Sequence, residues 1–109
     1  MATKKIFVSM PMAGKSREEI ERVQDETFNA VAVSLGDDDE VELIRSYIAE
    51  DLAHQLEYLA ESLKRMAEAD YVAFVDGWET ARGCKVERLC AEQYGIGIID
   101  VKSIDLEGE

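Results

Sequence analysis

Tyr71-Val72-Ala73-Phe74-Val75 is apolar at every position. A strand with one wet face alternates, so this unbroken run predicts a strand covered on both faces, as in the middle of a parallel sheet. Asp76-Gly77 closes it. Three shorter strand-like runs accompany it: Ile6-Phe7-Val8-Ser9-Met10, ended by Pro11 and Gly14, then Val41 to Ile44, then Ile96 to Val101. Helical spacing fills the gaps between them. Ser16-Arg17-Glu18-Glu19 has the capping-box form, and Ile20, Val23, Thr27, Val31 and Leu35 continue it, with Gly36 as the stop. Leu52, Leu56, Leu59, Leu63 and Met66 recur at intervals of 4, 3, 4 and 3, a stripe of the core type. A third helix is predicted from about Gly83 to Tyr94. The order β-α-β-α-β-α-β, without repeat or linker, predicts one α/β domain over residues 1–109, a parallel sheet sandwiched by helices.

The chain's 109 residues allow one core and one cleft. Twelve Lys and Arg stand against 24 Asp and Glu, a formal net charge of −12. Such a surface repels a phosphate backbone, which excludes a nucleic-acid polymer as the expected partner. A local cationic pocket still admits a small nucleoside or nucleotide. No apolar stretch approaches the roughly 20 residues of a membrane helix, and the run after Lys4 and Lys5 is too short for a signal peptide. Cys84 and Cys90 lie about 120° apart on one helix and about 9 Å along it, a poor geometry for a bridge. The expected location is cytoplasmic. Asp37-Asp38-Asp39-Glu40 lacks the spaced ligands of a calcium loop and reads as a solvated turn. His54 is the only histidine and leaves the stripe of its helix, so it is expected to be exposed. Neither a metal nor a cofactor is expected.

In open parallel sheets, ligands bind at the carboxyl ends of the strands. That directs attention to Pro11–Arg17, Ile44–Tyr47 and Asp76–Glu87. Ser9 to Ser16 has the strand-to-helix context of a phosphate loop and ends in Gly14-Lys15-Ser16, but Ser9 stands where the first glycine belongs and Pro11 removes a backbone donor. A capped turn, a loop closing over a sugar and a triphosphate loop are the three readings of this segment. Trp78 leaves the central strand on a loop with Asp76, Glu79 and Arg82, where it either stacks on a heterocycle or folds back over the core. On the third helix, Leu89, Cys90 and Tyr94 fall within about 80° of Val86, so the buried face is expected to centre between Val86 and Cys90. Glu87, about 100° from Val86, then stands on the margin of that face, near the strand ends and the positive end of the helix dipole, with Arg82 close in sequence. Those terms favour an ionised carboxylate, as a nucleophile requires. The competing reading is a flank glutamate paired with a neighbour.

These segments resemble the nucleoside 2-deoxyribosyltransferase-like superfamily, in a small bacterial and phage branch. The resemblance rests on Ile6 to Lys15, on Leu59 to Asp70, and on Gly77-Trp78-Glu79-Thr80-Ala81-Arg82-Gly83-Cys84-Lys85-Val86-Glu87, with Ala91 and Tyr94-Gly95 beyond. Gly83 four residues before Glu87 matches the nucleophile signature of that superfamily. The resemblance implies a three-layer α-β-α, flavodoxin-like or Rossmann-like open parallel sheet of four or five strands, and a homodimer or larger homo-oligomer. It also implies N-glycosidic bond chemistry in which Glu87 attacks the anomeric carbon and a second base or water accepts the sugar. Asp76 or Glu79 would protonate the departing base. The expected binding surface comprises Ser9, Met10, Pro11, Gly14, Lys15, Arg17, Ser62, Trp78, Arg82 and Gly83. Three positions depart from the superfamily pattern. Ala81 stands where transferases hold the sugar 5′-hydroxyl with aspartate and where monophosphate hydrolases have serine, Phe7 replaces a tyrosine that orients the glutamate, and Ser62 falls at an expected aspartate. A nucleotide whose phosphate meets Lys15, Arg17 or Arg82 fits these departures. Two other functions compete with glycosidic chemistry: a non-catalytic module binding a nucleotide in the same cleft, and a phosphate-loop enzyme using Gly14-Lys15-Ser16 with Asp76 on magnesium.

Overall fold

A computed structural model describes residues 3–35, 40–46 and 52–101. The elements run β1 (Thr3–Ser9), α1 (Arg17–Leu35), β2 (Glu40–Ile44), α2 (Gln55–Met66), β3 (Tyr71–Phe74), a single 3₁₀ turn (Trp78–Thr80), α3 (Arg82–Tyr94) and β4 (Gly97–Asp100). The four strands are parallel and lie in the order β2-β1-β3-β4. This is the α/β three-layer arrangement expected from the alternation, and its strand order is that of the first four strands of a flavodoxin-like sheet. Gly36, residues 37–39 and Tyr47 lie outside the described residues.

Side-chain alternation along β1 divides the core in two. Phe7 points to one face and packs with Met66, Val72, Phe74 and Ala91, under α2 and α3. Ile6 points to the other and packs with Val31, Ala73 and Val101, under α1. Each of the buried Phe, Met, Val and Ile side chains among these contributes about 1.5–3 kcal/mol. Since Ser9 is two residues after Phe7, it also faces α2 and α3. A hydroxyl at that position needs a partner there, because it is 1% exposed.

Helix starts follow local chemistry. Ser16 caps α1 as its capping-box sequence predicts, its Oγ accepting from the Glu19 N–H at 3.1 Å. α2 differs from expectation: it begins at Gln55, leaving Leu52 outside the helix and Leu56 exposed. The reason is His54, which caps the helix. Its Nδ1 accepts from the Leu56 N–H, while the Glu57 carboxylate accepts from the His54 N–H. His54 is exposed, as expected.

α3 ends at Gly95, whose φ of 76° is the left-handed geometry that glycine adopts without strain. Its buried face is rotated from the expected one. Cys84, Glu87 and Ala91 are buried, whereas Leu89 and Tyr94 are 55% and 82% exposed. Glu87 therefore sits in the middle of the core-facing side, not on its margin.

Candidate active site

Three elements meet above the carboxyl ends of β1 and β3. β1 delivers Ser9, α2 delivers Ser62 one turn before its end, and α3 delivers Glu87 from its second turn. Ser9 Oγ donates to Glu87 Oε1 at 2.6 Å, and Ser62 Oγ donates to Oε2 at 2.7 Å. Glu87 is only 6% exposed, yet it lines an open cleft of about 1080 Å³ together with Ser9 and Ser62. Clefts of this order hold small molecules. None of the described Lys or Arg residues forms an ion pair with Glu87.

The carboxylate is under two opposing influences. Burial pushes its pKa above the ordinary 4.5, and the hydrogen bonds from Ser9 and Ser62 pull it back, leaving it raised. The helix dipole and Arg82 were expected to favour the ionised form, but the net shift runs the other way. The physical reason is position: on the core-facing side the glutamate loses more hydration than the helix end returns, and Arg82 turns away to donate to Gln55 Oε1 at 2.6 Å. The anion keeps an acceptor role all the same, because each oxygen receives one hydroxyl proton and retains a lone pair. Burial also pushes the neighbouring Cys84 thiol up to about 11, a hydrogen bond with Ser9 opposing it and the Glu87 charge adding to it. Cys84 is therefore a thiol at neutral pH, not a thiolate.

The entrance to α3 is bare. Ala81 occupies the N-cap with no side-chain hydrogen bond, and the first turn holds no acid. Thr80, Ala81, Arg82 and Gly83 line the cleft, as does Lys15 from the loop after β1. Unpaired backbone N–H groups at such a helix start suit an anionic group.

The cleft gathers residues from all three segments the strand-end rule indicated. Ser9, Met10, Lys15, Ser62, Arg82, Gly83 and Glu87 line it. Pro11, Gly14, Arg17, Asp76, Glu79 and Trp78 do not border it. Arg17 pairs with Glu21 on the exposed start of α1 at 3.0 Å. Trp78 folds back over the core: its ring lies 5.5 Å from that of Phe74, and the Arg88 guanidinium sits 4.7 Å from its centroid. Gly14-Lys15-Ser16 forms a capped turn, with the Lys15 N–H on the Met12 carbonyl and Ser16 committed to capping α1. Among the described residues no cluster of three metal-ligating side chains occurs. No helix there is long and apolar enough to cross a membrane.

Sequence reasoning passed over Tyr58, Leu59, Cys84 and Ser46 as cleft residues. Leu59 belongs to the core-type stripe, and its position one turn before Ser62 is the signal that places it at the cleft. Ser46 lies two residues after β2, within a segment the strand-end rule indicated.

A family model described as a domain of unknown function, DUF4406, matches residues 4–100. The chain belongs to this family. The match runs from β1 to the last residue of β4, so the DUF4406 domain contains Ser9, Ser62 and Glu87 in full. No curated protein and no solved structure matches the chain.

Proposed function

We propose that this DUF4406 domain cleaves or transfers across the N-glycosidic bond of a nucleoside or nucleoside 5′-monophosphate, with Glu87 as nucleophile, as in the nucleoside 2-deoxyribosyltransferase-like superfamily its motifs resemble. The observation that carries the reading is a carboxylate, the one among the described residues that line the cleft at the strand ends, buried and with both oxygens held by hydroxyls from two other elements. Such a group is fixed in orientation before substrate arrives, which removes reorganisation from the attack. Its remaining lone pairs attack the anomeric carbon as the bond to the base nitrogen breaks and the electron pair leaves with the base. The base takes up a proton from solvent, and water or a second base, losing a proton to solvent, then displaces the sugar from the ester, restoring the carboxylate. Ser9 and Ser62 hold the glutamate, which in the resembled enzymes is oriented by the tyrosine that Phe7 replaces.

The bare start of α3 supports a nucleotide over a nucleoside. Ala81 leaves the cleft without the aspartate that holds a free sugar hydroxyl, and Lys15 and Arg82 supply positive charge there. A non-catalytic nucleotide-binding module is the second reading, favoured by Ala81 standing where the resembled transferases hold the sugar with an aspartate. A chromatographic screen separates them: ribo- and deoxynucleosides and their 5′-monophosphates, with and without an acceptor base, run on wild type and on Glu87→Ala. The expected outcome is free base released by wild type and lost in the variant, with acceptor dependence distinguishing transfer from hydrolysis. A nucleotide that raises the Tm of wild type without any turnover would move the assignment to the binding module.

A further inference from the structure

A hydroxyl that holds a carboxylate must itself be held, and Ser9 has a neighbour placed to do so. Cys84 sits one helical turn before Glu87 on the buried side of α3 and is 4% exposed. Its thiol is within hydrogen-bond reach of Ser9, which is 1% exposed. Thiol, hydroxyl and carboxylate thus form a row of three buried polar groups. The direction of both hydrogen bonds follows from counting protons. A serine hydroxyl has one proton and two lone pairs, and an ionised carboxylate has no proton. The 2.6 Å contact between Ser9 Oγ and Glu87 Oε1 needs a proton between its oxygens, and Ser9 supplies it. None is left for the sulfur. Only a thiolate would draw the Ser9 proton away from Glu87, and burial, pushing the thiol up to about 11, keeps the thiolate from forming at neutral pH. Cys84 therefore retains a proton, and Ser9 retains a lone pair to accept it.

We propose that Cys84 is a positioning residue, its S–H donating to Ser9 Oγ and so keeping the Ser9 proton on Glu87. A hydroxyl otherwise turns about its C–O bond. A donor on one side closes that side to the hydroxyl proton, and the two hydrogen bonds strengthen each other. This rests on the reading of Glu87 as nucleophile and adds to it the group that aims its serine, although the arrangement itself needs no substrate. Ser62 holds the other carboxylate oxygen. The other ionisable groups bordering the cleft are Lys15 after β1, His54 and Tyr58 at the start of α2, and Arg82 and Lys85 on α3.

Infrared spectroscopy of the full chain without substrate tests this, so its failure and the failure of the glycosidic chemistry are distinguishable. The chain has two cysteines, and Cys90→Ala leaves one S–H stretch to read. At about pH 8 that band is expected at the low frequency of a donating thiol, and Ser9→Ala moves it up. A second reading leaves Ser9 intact. The protonated-carboxyl band that Glu87→Gln removes is titrated in Cys84→Ala and in Cys84→Ser. Losing the donor weakens the Ser9 bond to the carboxylate, so Cys84→Ala raises the midpoint of that titration and Cys84→Ser restores it. A thiol that only filled space would give the opposite sign, since water entering in its place favours the anion and lowers the midpoint. A free-thiol band, a band unmoved by Ser9→Ala, or a midpoint that falls or stays in Cys84→Ala overturns the proposal, even if nucleotides are cleaved. Both shifts as described, without cleavage of any nucleotide, leave it standing and remove the nucleophile.

Discussion

Two serine hydroxyls converge on the two oxygens of Glu87 from positions 78 and 25 residues away in the chain. Each hydrogen bond to a charged group contributes about 1.5–3 kcal/mol, and each lowers the pKa that burial raises. Ser62→Ala is therefore expected to raise the Glu87 pKa further, so that the acid limb of kcat/KM moves to higher pH. An unmoved limb would show that Ser62 does not govern the carboxylate. Stability carries the same signature with a definite sign. The folded pKa lies above the ordinary 4.5, so between 4.5 and the folded value the folded protein retains a proton that the unfolded chain has released. Stability then falls as pH rises through that window. Glu87→Gln removes the buried charge and is expected to have a higher Tm than wild type at about pH 8, the gap closing as pH falls toward 4.5. A thermal-melt series across pH checks it. Cys84 gives an independent reading of the same environment. Its thiol, raised to about 11 and 4% exposed, is expected to resist iodoacetamide in the folded protein and to react on denaturation.

α3 is the element in which ordinary helix logic and the site disagree most. Its bulky apolar residues Leu89 and Tyr94 face outward, while a glutamate takes the centre of the buried side. An amphipathic reading assigns the apolar residues to the core and so places Glu87 at the edge. The partners that make a buried glutamate tolerable are on β1 and α2, where no pattern within α3 reveals them. The same limit hid the rotation of Arg82 toward Gln55. By contrast the Ser16 cap and the α1 stripe were legible, because their chemistry is local. Gly83 tests how far α3 is shaped for the cleft. A methyl group there meets only Leu59 Cδ1 at 3.9 Å, an ordinary contact, and alanine is the better helix former by about 0.5–1 kcal/mol. Gly83→Ala is thus expected to raise the Tm while lowering turnover, since the methyl group narrows the wall beside Ala81 and Arg82. A Tm gain with full activity would place the substrate elsewhere.

At the scale of the whole molecule, the fold was the most legible property. A continuous apolar run at Tyr71–Val75 and three helices between four short strands allow few arrangements, and the parallel sheet in the order β2-β1-β3-β4 is one of them. The location of the cleft followed from the topology, and Ser9, Ser62 and Glu87 came together because β1, α2 and α3 share one face of the sheet. Trp78 lay on the right loop but was drawn to Phe74 and Arg88, an outcome set by tertiary packing. The net charge of −12 acts on the molecule as a whole. Self-repulsion is screened by salt, so raising NaCl from about 20 to about 200 mM is expected to raise the Tm by a few degrees. Melting at fixed pH checks this, and a flat response would mean the acids are already locally balanced. The central claim concerns a bond to Glu87, and intact-protein mass spectrometry after acid quenching reads that bond. Wild type mixed with pooled nucleoside 5′-monophosphates is expected to carry a sugar-phosphate adduct on the peptide containing Glu87, absent from Glu87→Gln. Base release with no adduct, undiminished in Glu87→Gln, would contradict it.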